Sequence, residues 1–595
     1  MCINEGNRIV TVAEQGDWTY MDFAAGKTPL PSPNLAWNTY GTGIESIGVD
    51  GAPEPVEIPS PAADQLLIRV DAVGLCFSDV KLIKQGGDHP KLYGRDLKVE
   101  PTRLGHEVSV TVIEVGSDLA DTYTAGQRLA IQPDIYVDGR AAAYGYTVPG
   151  GLIQYHLIGP EVLAADHGAY VIPVTDEIGY AAAALSEPWA CVEASYTQRR
   201  RLEPLVGGTM LIIGDGNAST VYTMSRGLDA PARIILSNVS DTTRELVHDK
   251  KSASAEVIER NGVGAADVAG LSEELTGGEG FDDIIVLDPR HADLMEELGK
   301  AIAFRGTMNM VGTTPLDGLP LVDVGRLHYH YTAFIGTTGP DIASAYGEER
   351  NRCDVIKGGT ALFVGAAGPM GQMHMQRAIE FADGPSVLIG SDLDDDRIEA
   401  ARTLLAPLAE EHGKTLIFIN PGNEPEKVAE LVEQHAAGGA DDVIVTVPVG
   451  PVMAQAGEWM GPDGMLVLFA GVPNGTMAPL DLSDTYLHNA QFTGTSGSSI
   501  DDQATVLEKA LDGSLSPGRA LAAVGGIEAG QSGVRALMEG DYAGKVVIFP
   551  QLSGLELQSL EELAADDPDI AAALGENNTW TDEAERILFE KYHTS

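Results

Sequence analysis

Cys76 lies in the segment GLCFSDVK, and thirty residues on, His106 and Glu107 lie in a Gly-His-Glu triplet. A thiolate and an imidazole suit zinc, which in catalytic sites takes three protein groups and keeps a position for water or substrate. Taken singly, Cys76 reads as a buried structural thiol and His106 as a core histidine with its hydrogen bonds met. Together, and upstream of a nucleotide-type loop, they say more. That loop is Gly365-Ala-Ala-Gly368-Pro369-Met370-Gly371, between the apolar run TALFV and the helical stretch MHMQRAIEFA. Glycines there let the backbone turn sharply and approach a pyrophosphate, which rests on the free N–H groups of the helix start. Twenty-one residues past Gly371, at the end of the next apolar run, stands Asp392. A carboxylate at that place accepts hydrogen bonds from both adenosine ribose hydroxyls and repels a 2′-phosphate, so NAD is expected rather than NADP.

A weaker copy of the loop precedes it. Gly214-Asp215-Gly216-Asn217-Ala218-Ser219 has serine at the third glycine position and an acid where phosphate would lie, and its second strand ends on Asn238. A structural role is expected for this copy.

The elements that position these residues change rhythm along the chain. DQLLIRVDAVGL (64–75) and VSVTVIEVG (108–116) alternate with the two-residue period of half-buried strands. From residue 209 the pattern becomes buried-strand runs separated by helix-length segments: TMLIIGDGNAS, ARIILSN, FDDIIVLD and GTMNMVG. The same order returns as TALFVGAAGPMG, SVLIGSD, DDVIVTV and DGMLVLFAG, offset by roughly 150 to 157 residues. Each copy is the size of one doubly wound α/β domain, which makes internal duplication the expectation. The boundaries follow: an extension over 1–34, a mostly β domain over 35–205 and 498–550, a first α/β unit over 206–350, a second over 351–497, and an acidic helical tail over 551–595 with Thr581 as a helix N-cap.

The 595 residues exceed one hydrophobic core. The net charge of −49 argues against nucleic-acid binding, which needs basic surface. No run of 18 apolar residues and no basic, apolar leader occurs, so a cytoplasmic location is expected. Four cysteines without a CxxC pair give neither a disulfide framework nor a local structural zinc site.

GLCFSDVK, RLGHEVSVTVIEVG, SEPWACVEASY, VGAAGPMG and SDLDDDR together resemble the zinc-containing medium-chain dehydrogenases, nearest to the polyol and sugar-phosphate branch. The resemblance covers about residues 35–550 and leaves one nucleotide-binding unit over. It implies a GroES-like catalytic domain, Rossmann domains, and one catalytic zinc in the cleft beside the cofactor. On this likeness Cys76, His106 and Glu187 are zinc ligands, and Glu107 is a close acid able to ligate directly or through water. Ser78 holds the proton-relay hydroxyl position and Asp79 orients the histidine ligand. Asp392 binds ribose, Arg397 lies near the adenosine, and Lys545 sits where the family often has a cation near the pyrophosphate. Lys81 replaces the outer relay histidine of many relatives.

The implied reaction is hydride transfer between NAD and a secondary alcohol of a polyol, sugar or sugar phosphate. Lys81, Lys84, Lys91, Arg95 and Arg103 form a basic stretch that could receive a phosphate. A non-catalytic sensor or scaffold and a zinc-free quinone-reductase-like enzyme are the competing readings. Homo-oligomerisation is one option for assembly; the other is pairing of the tandem units through the edge strands YTAFIGTTG (331–339) and AQFTGTSG (490–497).

Overall fold

The computed structural model describes residues 19–216 and 219–593. The chain divides into two units, one of residues 1–190 and 497–595, the other of residues 191–496. Residues 1–18 of the expected extension, and Asn217 and Ala218 of the first glycine loop, lie outside the described residues.

The first unit is built on an eight-stranded sheet in which β1 (Leu66–Leu75) pairs antiparallel with β2 (Glu107–Val115) on one side and with Lys545–Phe549 on the other. The sheet is thus closed by chain from both ends of the sequence. The alternation in β1 predicted a half-buried strand, yet all ten residues are buried. Its polar positions point inward as a matched pair: Arg69 Nε donates to Asp71 Oδ1 at 2.6 Å, and Thr111 Oγ1 donates to Asp71 Oδ2 at 2.7 Å. Buried charges persist only when paired and hydrogen-bonded, which period-two alternation cannot distinguish from exposure.

The terminal extensions pack on each other. Helix α1 (Tyr20–Ala24), capped by Thr19, sets Phe23 4.8 Å from Phe589 of the C-terminal helix Asp582–Tyr592. Thr581 caps that last helix, accepting from Ala584 N at 3.1 Å. Helix α2 (Phe77–Gln85) follows β1, and α3 (Tyr180–Ala194) carries Glu187. The tail reaches α3 directly: Glu585 Oε1 accepts from Tyr180 N at 2.5 Å and Oε2 from Ala181 N at 2.8 Å. These are orphan N–H groups of the helix start, met from 405 and 404 residues away.

Burial pushes the Glu585 carboxyl from 4.5 up to about 7, against the two N–H bonds that favour its ionised form. A carboxyl raised on folding stabilises most below its unfolded value, and that contribution is lost as pH rises from about 4.5 through 7. Glu585→Gln fixes the neutral form. Its stability is expected to vary less between pH 5 and pH 8 than that of the unsubstituted protein, by about 3 kcal/mol in urea unfolding. Parallel pH dependences would refute the assignment.

The second unit holds two six-stranded parallel sheets of identical order. In the first, β3 (Thr209–Gly214) is flanked by Arg233–Ser237 and Phe281–Leu287; in the second, Thr360–Val364 is flanked by Val387–Ser391 and Ala440–Val445. Both follow the 3-2-1-4-5-6 order of the Rossmann fold. The duplication extends to single residues. Asp283 and Asp442 sit at the same irregularity of the fourth strand and pair with Arg201 and Arg352, and the neighbouring Asp282 and Asp441 accept from Thr209 N and Thr360 N.

The joint between the two Rossmann halves differs from the expected one. The edge strands Ala333–Thr337 and Gln491–Gly494 belong to separate sheets and form no ladder with each other. The halves join through a two-stranded antiparallel ladder, β4 (Leu321–Asp323) with Met477–Pro479. They also join through reciprocal helix seats. On the first edge strand, a Cβ on Gly336 would lie 2.5 Å from Tyr486 Cβ; on the second, a Cβ on Gly494 would lie 2.9 Å from the His328 backbone. Each half's edge glycine receives a helix of the other, α4 (Val324–Tyr329) or Ser483–Leu487. One apolar core, including Met310, Leu327, Tyr486 and Phe492, runs through both halves. Among the described residues, no helix is long and apolar enough to cross a membrane.

Candidate active site

β1 ends on Leu75, and the chain turns into α2 with Cys76 as the N-cap. Asp79, three residues on and 1% exposed, accepts from Cys76 N at 2.9 Å and from Gly105 N at 3.2 Å. It thereby ties the turn after β1 to the turn before β2, where His106 and Glu107 stand. His106 Nδ1 faces Asp79 Oδ1 at 3.4 Å, an ion-pair distance. Burial disfavours charge on both groups, but each holds the other ionised: Asp79 is kept below the usual carboxylate range and His106 well above the usual imidazole range. The contact turns Nδ1 toward Asp79; as a metal ligand the ring would be neutral and bind through Nε2.

Ligand atoms of Cys76, His106 and Glu107 lie within 4.8 Å of one another. Glu107 stands opposite Gly74 in the β1–β2 ladder, and a Cβ on Gly74 would come within 2.1 Å of Glu107 Oε2. A side chain there would displace the carboxylate from the position that glycine leaves it. One oxygen, Oε1, accepts from Lys545 Nζ at 2.6 Å; the other, Oε2, is buried without a hydrogen-bond partner. A buried, unpaired carboxylate oxygen beside a thiol and an imidazole is the donor set a zinc ion would satisfy.

Glu187 is buried and faces the same group. Burial raises its carboxyl to about 7, with His106 opposing and Glu107 adding to the rise. Its oxygens are outside the set of atoms mutually within 4.8 Å. Ser78 Oγ lies 3.6 Å from Cys76 Sγ, while Lys81 is exposed one turn on.

Lys545, which the family likeness places near a pyrophosphate, has its ammonium buried beside the end of β1, donating to Glu107 at 2.6 Å and to the Leu75 carbonyl at 2.9 Å. Burial disfavours that charge, and Glu107 more than restores it. Removing one partner of such a pair strands the other, at a cost of roughly 3–5 kcal/mol. Glu107→Leu is expected to lose that much in denaturant unfolding of metal-free protein, and adding Lys545→Met to recover most of it. Equal losses in the single and double variants would contradict the pairing.

Three side chains that local sequence did not suggest, Tyr146, His89 and Asp134, lie beside the cluster or against its neighbours. The Tyr146 ring lies 5.9 Å from His106 and 5.1 Å from His89, and Lys91 Nζ lies 4.9 Å above it while pairing with Asp134 at 2.7 Å. No motif marks them, because separate loops bring them in. The basic stretch is not one patch: Lys91 is paired with Asp134, Arg95 with Glu100, and Arg103 is held by Asn38 and the Gly150 carbonyl. Lys81 and Lys84, a turn apart on α2, are its exposed members.

In the second unit, β5 (Thr360–Val364) runs into Gly365, whose φ of +81° only glycine adopts freely, and helix α5 (Pro369–Glu380) starts after Gly368. A Cβ on Gly371 would lie 2.2 Å from the Gly365 carbonyl oxygen. Helix and loop therefore touch backbone to backbone, and no side chain caps the helix start. Pro369 and Met370 form its first turn. Asp392 follows the second strand and reaches back to the loop, Oδ2 accepting from Ala367 N at 3.0 Å. Arg397 lies beyond, 3.7 Å from Asp394.

The first loop is built differently. Among the described residues no helix follows it; the chain from Ser219 to Pro231 is irregular. Among the described residues the expected helix-length segment is thus not a helix, and no helix N-terminus stands behind the loop to receive phosphate. The loop is also filled. Asp215 Oδ2 accepts from Arg290 N at 2.5 Å and His291 N at 2.8 Å, and a Cβ on Gly216 would strike Asp288 Oδ2 at 2.0 Å.

A β-rich domain with a buried Cys-His-Glu cluster is thus followed along the chain by two Rossmann-type sheets. Residues 62–166 match the alcohol dehydrogenase GroES-like domain. The chain is 25% identical over 550 residues to mannitol-1-phosphate 5-dehydrogenase of Aliivibrio fischeri, covering 91% of this chain and 95% of that one. It is 28% identical over 305 residues to L-sorbose 1-phosphate reductase of Klebsiella pneumoniae, covering 48% and 72%. Among solved structures, galactitol-1-phosphate dehydrogenase from Escherichia coli is 13% identical, with 87% of this chain and 100% of that chain covered and a TM-score of 0.47. The chain thus carries a GroES-like domain of the alcohol dehydrogenase kind and is similar along most of its length to a polyol-phosphate dehydrogenase.

Proposed function

We propose that the protein is a zinc-dependent NAD(H) oxidoreductase that interconverts a secondary alcohol of a polyol or sugar phosphate with its ketone. The observation that carries this is the buried Cys76–His106–Glu107 cluster with its unpaired carboxylate oxygen. Cys76 and His106 would hold the metal, with Glu107 and Glu187 as the carboxylates next to it. When bound, zinc supplies a Lewis acid that lets an alcohol lose its proton near neutral pH. Asp79 keeps the His106 ring oriented, and Ser78, beside the thiol, passes the proton outward. The glycine loop of residues 365–371 would take the NAD pyrophosphate and Asp392 the adenosine ribose. The first glycine loop, filled by Asp215 and Asp288, is assigned an architectural role.

A phosphorylated substrate is supported by the names of the relatives and by Lys81 and Lys84, exposed on the helix that begins at Cys76. The test follows NADH absorbance with NAD and paired substrates, mannitol against mannitol 1-phosphate and sorbitol against its phosphate, before and after chelation. Turnover should fall on chelation, return with zinc, and favour the phosphates. Undiminished turnover by metal-free protein would overturn the zinc assignment, and equal rates on free and phosphorylated polyols would remove the phosphate.

A further inference from the structure

The second unit contains a small cavity at the joint of its two Rossmann halves, lined by Leu327 and Tyr331 from the first and by Phe492, Thr493 and Thr495 from the second. Its volume is about 20 Å³, room for one water-sized occupant. Arg200 lines it from the segment that enters the unit. Its Nη2 donates to the Arg352 carbonyl at 2.7 Å and to the Gln491 side-chain oxygen at 2.6 Å. Its Nη1 is buried with no hydrogen-bond partner, and Thr495 Oγ1, on a residue 4% exposed, also has none.

No acidic residue lines the cavity, and among the described residues no carboxylate forms an ion pair with Arg200. This contrasts with the adjacent Arg201 and with Arg352, which have Asp283 and Asp442. Cys353 does not serve as the counter-charge: burial pushes its thiol up and keeps it neutral. Burial correspondingly pushes the Arg200 guanidinium down to about 10. In a chain of net charge −49, a half-buried guanidinium whose Nη1 is buried without a carboxylate partner stands out. A water would complete its hydrogen bonds and leave the charge unbalanced. The space is too small for phosphate or a nucleotide.

We propose that this cavity binds a single small inorganic anion, a halide such as chloride, between Arg200 Nη1 and Thr495 Oγ1, where it ties the two Rossmann halves together. An anion bound only by the folded unit raises stability with its concentration.

The test uses the full chain in sodium chloride and in sodium gluconate at equal ionic strength and pH. The unsubstituted protein should show a saturable rise in Tm of roughly 2–4 °C with chloride. Arg200→Gln and Thr495→Val should abolish the rise, and bromide-soaked crystals should give an anomalous peak at Arg200 Nη1. If Arg200→Gln does not fold, Thr495→Val and the bromide peak decide. Equal Tm in chloride and gluconate, an undiminished response in Thr495→Val, or water alone in the cavity would each overturn the proposal.

Discussion

Cys76→Ala is expected to empty the metal centre and to lower kcat by about a thousandfold. The thiolate is the softest donor of the cluster, and without it zinc would rest on one imidazole and carboxylates that suit it less. A metal that stabilises transition-state charge by several kcal/mol accounts for a loss of that size. The fold should survive, because Cys76 is half-buried and its N–H, not its sulfur, anchors the turn through Asp79. Zinc content and kcat measured on the same preparation make the check. Ser78→Ala is the control: it should keep its zinc and lose roughly 100-fold in kcat, as removal of a proton-transfer group does. Bound zinc with full turnover in Cys76→Ala would refute the ligand assignment.

Gly371→Ala is expected to weaken NADH binding roughly 100-fold, by displacing the glycine loop about 1 Å. A methyl there meets the Gly365 carbonyl oxygen at 2.2 Å and Ala366 backbone at 2.8 Å, both main chain and neither able to rotate away. Overpacking of this kind also costs roughly 1–3 kcal/mol of stability. Gly368→Ala separates the two effects. Its methyl would meet nothing nearer than 3.7 Å, so the free protein should keep its stability even where affinity falls. Unfolding and NADH titration of both variants give the answer; unchanged affinity in Gly371→Ala would show that the dinucleotide binds elsewhere.

What could be read along the chain was local. The glycine loop, the Gly-His-Glu triplet and the turn at Cys76 are short segments whose residue types answer to backbone geometry and donor chemistry. The two Rossmann sheets were legible because buried parallel strands are continuous apolar runs in repeating order. What stayed hidden depends on long-range pairing. Lys545 meets Glu107 across a sheet closed by the C-terminal part of the chain, and nothing around either residue announces the other. Arg69 and Asp71 look like exposed alternation until Thr111 and the Phe23 carbonyl of α1 cover them. The repeated acid pairs Asp282-Asp283 and Asp441-Asp442 did carry a signal, since matched acids inside apolar runs imply matched partners. The irregular crossover after the first loop carried only its degraded glycine pattern.

These differences bear on the cofactor count. Two Rossmann sheets are present, and among the described residues only the second has a helix start open behind its glycine loop, with an acid at the end of the next strand. The measurement that tests this most directly is a calorimetric titration of NADH into the full, unsubstituted chain. One NADH per chain is predicted, with that single binding event lost in Gly371→Ala. Two per chain, or one that survives Gly371→Ala, would contradict the account.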